Sequence, residues 1–319
     1  MTEIRHRQIQ TNGISMHIAE AGADDGPLVV MVHGFPELWY SWRHQLPALA
    51  EAGYHAVAPD VRGYGDTDKP HEIEAYSMRE MVADTVGILD ALGEEQARVI
   101  GHDWGSPIAW NSAVLHPERF RAVVSLSVPY LPRGPMPPLQ MMKAMFQDNF
   151  FYMLYFQKEG AAEEEFESDL RSSMVKFMYY ASGDAPAGIA TRTKPADSKL
   201  FDGIEPPGGL PSWLTEEDLD VYAAAFEKSG FRGPLNRYRC MDLDWQQIPE
   251  LQDAKVQQPA LFIAGDKDGV ISFAPIDPMK QLVPNLKGPI MLPGCGHWTQ
   301  QDRPAEVNRE ILEFLGSQE

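Results

Sequence analysis

Apolar residues along this chain recur in two rhythms. Short apolar runs come first, at residues 14–19 and 28–32, and the second, Leu28-Val29-Val30-Met31-Val32, is apolar at every position. A strand apolar on both faces belongs inside a parallel sheet covered by helices. Helical periodicity follows at 40–51, then a strand at 55–59, a helix at 77–92, a strand at 97–101, a helix at 106–115 and a strand at 122–128. This alternation predicts an α/β fold, a mostly parallel central sheet flanked by helices, with right-handed crossovers.

The rhythm breaks after Val128. Pro129, Pro132, Pro135, Pro137 and Pro138 fall within ten residues and interrupt regular structure. From about residue 139 to 245 the pattern is helical, without a convincing strand. Thr215-Glu216-Glu217-Asp218 reads as a helix start, with Thr215 as N-cap and Asp218 three residues on. Glu163-Glu164-Glu165 reads as a solvated helix face. Strands return at 260–264 and 289–292, and a last helix at 305–315. The predicted organisation is a core at 1–133 and 251–319, interrupted by an inserted helical cap, or lid, at 134–250. Met136, Met141, Met142, Met145, Met153, Met174 and Met178 crowd the insert and read as ordinary core, some of them lining an apolar pocket.

Composition narrows the class. A chain of 319 residues buries roughly three quarters of its unfolded surface and needs no metal or cross-link to fold. Its 44% apolar and 23% charged content excludes a disordered chain, a collagen and a disulfide scaffold. A net charge of −19 repels phosphate backbones and anionic membranes, so neither nucleic acid nor membrane is an expected partner. Cys240 and Cys295 are too few for a disulfide framework and read as reduced thiols. The polar start, residues 1–7, lacks the apolar stretch of a secretory signal, and no run reaches the length of a membrane helix. A cytoplasmic protein is expected, with a homodimer left open.

One motif carries the chemistry. Strand residues Arg98-Val99-Ile100 run into Gly101-His102-Asp103-Trp104-Gly105 and then a helix. This is the spacing of a nucleophile elbow, in which small residues flank a sharp turn and the central side chain stands clear of the sheet. Serine is the usual occupant; here it is Asp103. A carboxylate suits displacement at saturated carbon, which leaves an alkyl ester of the protein. Water must then attack the carbonyl of that ester, so an oxyanion hole serves the second step. Gly294-Cys295-Gly296-His297-Trp298 follows the last strand, and Gly265-Asp266-Lys267-Asp268-Gly269 follows the one before. Nucleophile, acid and histidine stand in the order of α/β-hydrolases. His297 is the candidate base and Asp268 its orienting acid, with Asp266 as the rival. His33-Gly34-Phe35-Pro36 follows the strand at 28–32 and is placed to supply the Phe35 N–H opposite that of Trp104, a two-donor hole. His33 and Pro36 read as turn-shaping residues, Asp60 and Arg62 as a structural turn. No clustered His/Cys ligand spacing is present, and no metal or cofactor is expected.

These residues resemble the soluble epoxide hydrolases of the α/β-hydrolase fold, over about residues 28–315. The resemblance rests on His33-Gly34-Phe35-Pro36-Glu37, Gly101-His102-Asp103-Trp104-Gly105, Gly296-His297-Trp298 and two segments of the insert. Phe151-Tyr152-Met153-Leu154-Tyr155-Phe156-Gln157 resembles the segment with the first lid tyrosine, which falls on Tyr152. Gly230-Phe231-Arg232-Gly233-Pro234-Leu235-Asn236-Arg237-Tyr238-Arg239 resembles the one with the second, on Tyr238. Tyr155 and Tyr222 are the alternatives. The resemblance implies a small apolar epoxide and water as substrates. Asp103 would open the ring while Tyr152 and Tyr238 hold and protonate its oxygen. Water activated by His297 and Asp268 would release a vicinal diol.

Haloalkane dehalogenases are the nearest rival and share an Asp elbow followed by Trp. They resemble this chain less at Phe35-Pro36, where Asn often follows His-Gly, and need no paired lid tyrosines. Fluoroacetate dehalogenases share His-Gly-Phe-Pro but place Arg where Trp104 stands. A serine esterase fails because Ser106 lies three residues past the elbow position. A non-catalytic ligand receptor on the same fold goes with a damaged triad, and here every part is present.

Overall fold

The computed structural model describes residues 2–186, 193–205 and 207–318. Its centre is a sheet of β1 (Arg5–Thr11), β2 (Ile14–Ala21), β3 (Leu28–Val32), β4 (His55–Pro59), β5 (Ala97–His102), β6 (Phe120–Leu126), β7 (Ala260–Gly265) and β8 (Leu286–Leu292). The strand order is β1-β2-β4-β3-β5-β6-β7-β8. The pairs β1–β2 and β2–β4 are antiparallel and the rest are parallel, as the alternation predicts. Every residue of β3, β4, β5 and β7 is buried, which is why these strands are mostly apolar, with His55, Arg98 and His102 as the buried polar exceptions.

The edges differ from the sequence reading. β1 was not anticipated, because Arg-His-Arg-Gln-Ile-Gln-Thr is polar and buries only Ile9 and Thr11. Pairing with β2 holds it, from Arg5 opposite Glu20 to Thr11 opposite Ile14. The turn between them is Asn12-Gly13, with φ of 41° and 76°, which suits a two-residue hairpin. At the other edge, β8 starts at Leu286 rather than at 289 and runs through Pro289. Edge strands tolerate proline, and the pairing slips there: Leu261 faces Lys287, and Ile263 faces Ile290.

Helices α1 (Gln45–Glu51), α2 (Met78–Leu92) and α3 (Gly105–Leu115) connect the first strands. The helix expected at 40–51 is split into a 3-10 turn, Trp39–Trp42, and α1. Pro47 lies in the first turn of α1, where a missing N–H costs nothing, and so favours a fresh start there. Ser77 caps α2, and Gly93 ends it at a φ of 77°.

Between β6 and β7 the chain is helical: α4 (Pro138–Phe146), α5 (Tyr152–Tyr155), α6 (Ala161–Ser168), α7 (Leu170–Tyr180), α8 (Glu216–Ser229), α9 (Arg232–Arg239) and α10 (Met241–Gln247). Thr215 and Asp218 form the predicted reciprocal cap of α8. The acidic run departs from its reading. Glu164 faces solvent, whereas Glu163 is buried against Arg239 at 2.7 Å and Glu165 accepts the Leu200 and Phe201 N–H groups. Met174 and Met178 are core, while Met136, Met141 and Met145 are exposed. The insert shares one apolar cluster with the sheet. Phe166, Phe226 and Phe231 stack in it, and the ring of Phe35 enters from the β3 side, 5.6 Å from Phe156 and 5.5 Å from Phe177. Beyond β7 come α11 (Met279–Leu282), α12 (Thr299–Asp302) and α13 (Pro304–Gly316). Cys240 and Cys295 are buried free thiols. Among the described residues no helix is long and apolar enough to cross a membrane.

Candidate active site

Phe35, Asp103, Asp268 and His297 come from loops that follow β3, β5, β7 and β8, which gathers them at the carboxyl ends of the parallel strands. Asp103 has a φ of 49°, a conformation uncommon for a residue with a Cβ. Its neighbours must be small. A Cβ on Gly101 would overlap the backbone of Gly105, and one on Gly105 would overlap the Val32 carbonyl. One on Gly34 would overlap the Asp103 side chain itself. The glycine spacing is thus steric in origin. Asp103 Oδ1 accepts the Phe35 N–H at 2.8 Å, and Oδ2 lies 3.3 Å from His297 Nε2. Among the described residues the Trp104 N–H makes no hydrogen bond to this carboxylate, so one of the two expected donors is engaged.

His297 Nδ1 lies 3.0 and 3.1 Å from the two oxygens of Asp268. Asp268 Oδ1 also accepts the Val270 N–H, which fixes the acid at the end of its loop. Asp266 is exposed and accepts the Gly294 N–H at 2.8 Å, so it shapes the turn and does not reach the imidazole. Burial alone would lower the His297 pKa, but Asp268 and Asp103 together hold it well above the ordinary histidine value. Burial would raise both carboxyls, and hydrogen bonding and charge from His297 keep each below the usual aspartate range.

The short α5 carries Tyr152 and α9 carries Tyr238. Their ring centroids are 6.0 Å apart, edge to face. Tyr238 also packs 5.1 Å from Trp104 and 5.3 Å from Phe35. Burial, and after it the negative charge of Asp103, pushes both phenols well above their ordinary pKa, so both remain O–H donors. The alternatives are occupied elsewhere. Tyr155 donates to Glu165 at 2.8 Å and Tyr222 bonds Ser41 and Gln301 at 2.7 and 2.9 Å. The arrangement brings together a buried carboxylate, an imidazole paired with a second carboxylate, and two neutral O–H donors from the helices between β6 and β7.

Comparisons with known proteins place the chain in a family. The family model of the alpha/beta hydrolase fold matches residues 27–184. Epoxide hydrolase A of Mycobacterium tuberculosis is 43% identical over 311 residues, 97% of this chain and 96% of that protein. The crystal structure of epoxide hydrolase A from Mycobacterium thermoresistibile superposes with a TM-score of 0.95 at 43% identity, covering 98% of each chain. An epoxide hydrolase from an endophytic Streptomyces gives a TM-score of 0.94 at 47% identity, covering 98% of this chain and 96% of that one. The chain belongs to the epoxide hydrolases of the α/β-hydrolase fold.

In this member of the epoxide hydrolase family, two polar residues behind the elbow went unread in the sequence. Glu37 Oε2 accepts the Gly34 N–H at 2.8 Å and faces His102 Nδ1 at 2.6 Å, and Glu37 Oε1 accepts from Gln300 at 2.8 Å. Burial would raise Glu37, but His102 keeps it below the usual range. His102 Nε2 lies 2.8 Å from the His297 carbonyl, so each ring nitrogen faces an acceptor. The signal was present: both residues stand inside the motifs that fold around Asp103. Asp60 and Arg62 are structural, as expected. Asp60 Oδ2 lies 2.8 Å from His17 Nδ1, and Arg62 grips Asp84 on α2 through two nitrogens. Among the described residues no group of three or more His, Cys, Asp or Glu is arranged to hold a metal ion.

Proposed function

We propose that the protein hydrolyses epoxides to vicinal diols through an ester on Asp103. The observation that carries this reading is the environment of that carboxylate: Oδ1 sits against the Phe35 N–H, Oδ2 faces His297, and two neutral phenols lie in its field. The names of its relatives as epoxide hydrolases support the substrate class.

With Oδ1 held by Phe35, Oδ2 is the attacking oxygen. It forms a bond to an epoxide carbon as the C–O bond on the far side breaks. The departing oxygen gathers negative charge and takes a proton from Tyr152 or Tyr238. The ester carbonyl oxygen is then Oδ1, beside the Phe35 N–H, and the Trp104 N–H is the second donor this reading assigns to the charge that grows on it. His297 removes a proton from water, and that water attacks the carbonyl carbon. Asp268 stabilises the imidazolium, which gives its proton to the alkoxide that leaves as the tetrahedral centre collapses; the second proton of the water, left on the Asp103 carboxyl, restores the phenol, and the diol is freed. Residues 134–250 serve as the lid that supplies both phenols, over a core of 1–133 and 251–319. The partners are a small apolar epoxide and water.

The test offers styrene oxide and a bromoalkane side by side, measuring diol and bromide. Diol without bromide is expected, and the double change Tyr152→Phe, Tyr238→Phe should slow diol formation more than about 100-fold. Bromide release without diol, or undiminished turnover by the double variant, would contradict the reading.

A further inference from the structure

Behind His297 the end of α7 lies against the loop that carries the histidine. The Ala181 carbonyl accepts the His297 N–H at 2.8 Å, and the Met178 carbonyl accepts the Trp298 indole N–H at 2.8 Å. The last carbonyls of a helix have no partner within it, and here two from this region hold the histidine loop. The backbones touch just beyond. A Cβ on Gly183 would overlap the Gly294 carbonyl and lie 3.1 Å from Gly296 N; a Cβ on Gly296 would lie 2.7 Å from the Ala181 carbonyl. Lys267, next to Asp268, reaches across and donates from Nζ to the Gly183 carbonyl at 2.8 Å. Thus the loop of the base, the loop of its acid and the end of an insert helix share one clamp.

We propose that Gly183 and Lys267 are positioning residues for ester hydrolysis, registering the insert against the His297 loop so that Nε2 addresses the ester on Asp103. This rests on the assignment of His297 as base and Asp103 as nucleophile. The clamp touches the base directly, while the opening step keeps holds of its own. Asp103 is aligned by Phe35 from the β3 loop, and the phenols come from α5 and α9, none of which takes part in the 181–183 contact. The His297 main chain, by contrast, has its N–H on Ala181 and its carbonyl on Ser127 and His102. Moving the 181–183 segment pulls on one end of that suspension. Small displacements of a catalytic group are costly to rate.

The experiment separates the two half-reactions. Rapid-quench mass spectrometry with styrene oxide gives the rates of alkyl-enzyme formation and breakdown in the unaltered protein, Gly183→Ala, Lys267→Met and Lys267→Arg. The proposal expects Gly183→Ala and Lys267→Met to slow breakdown about tenfold or more, with formation changed less than about twofold, and Lys267→Arg to restore breakdown. Lys267 is exposed, so its variants decide the matter if Gly183→Ala fails to fold. Unchanged breakdown, or an equal fall in both steps, overturns the clamp while leaving the ester mechanism standing. Absence of any adduct on Asp103 in the unaltered protein overturns the ester mechanism and the clamp with it.

Discussion

Asp103 and His297 stand 3.3 Å apart with opposite charges favoured on each, and that pairing must dissolve for the proposed cycle to finish. Two carboxylates raise the resting histidine. Esterification of Asp103 removes one of those charges, so the His297 pKa falls in the alkyl-enzyme, where a neutral base is needed. The two steps therefore differ in pH dependence. Ring opening needs Asp103 ionised and the phenols protonated. The first is held low and the second are held well above 10, so its rate should stay level from about pH 5 to pH 9. Ester breakdown needs His297 unprotonated and should decline as the pH falls through the lowered pKa. Rapid-quench measurements should find alkyl-enzyme accumulating at acid pH; parallel pH profiles for both steps would contradict this.

Among the elements, α8 shows how far local chemistry carries. Asp218 closes the cap with Thr215 through two backbone bonds and also takes the Tyr40 hydroxyl at 2.9 Å and Arg43 at 3.1 Å, which joins the insert to the turn before α1. Thr215→Ala removes the cap oxygen but keeps the Arg43 contact. It should cost about 1 kcal/mol by chemical denaturation, and a loss near zero would mean the cap contributes nothing. That helix start was legible because four consecutive residues specify it. The elbow was legible for the same reason. β1 escaped because its side chains are polar and its pairing supplies its stability, although Asn12-Gly13 marked the hairpin. The helix break before α1 and the early start of β8 escaped because pattern alone blurs boundaries near proline.

At the scale of the molecule, what the sequence leaves hidden is contact between distant residues. Glu37 with His102, and Arg62 with Asp84, join segments 65 and 22 residues apart. Glu37 and His102 stand inside the two motifs but nothing in either says that they meet, and nothing local marks Arg62 and Asp84 as a pair, whereas Asp103, His297 and Asp268 each sit in a loop whose strand announces it. Arg62 bonds Asp84 at 2.8 and 2.5 Å, and Asn12 from the β1–β2 turn reaches the same carboxylate at 3.0 Å. Three elements thus meet on one buried charge. Arg62→Met would strand Asp84, and a loss of about 3–5 kcal/mol in denaturation is expected; a loss below about 1 kcal/mol would show that burial, not pairing, holds this corner.

The central claim is that substrate is joined to Asp103 before water arrives, and isotope placement tests it most directly. In one turnover with excess protein in heavy-oxygen water, the incoming oxygen attacks the ester carbonyl. The account predicts the label in the peptide bearing Asp103 and an unlabelled diol. A labelled diol with no label in Asp103 would mean that water attacks the epoxide itself, and the account would be wrong.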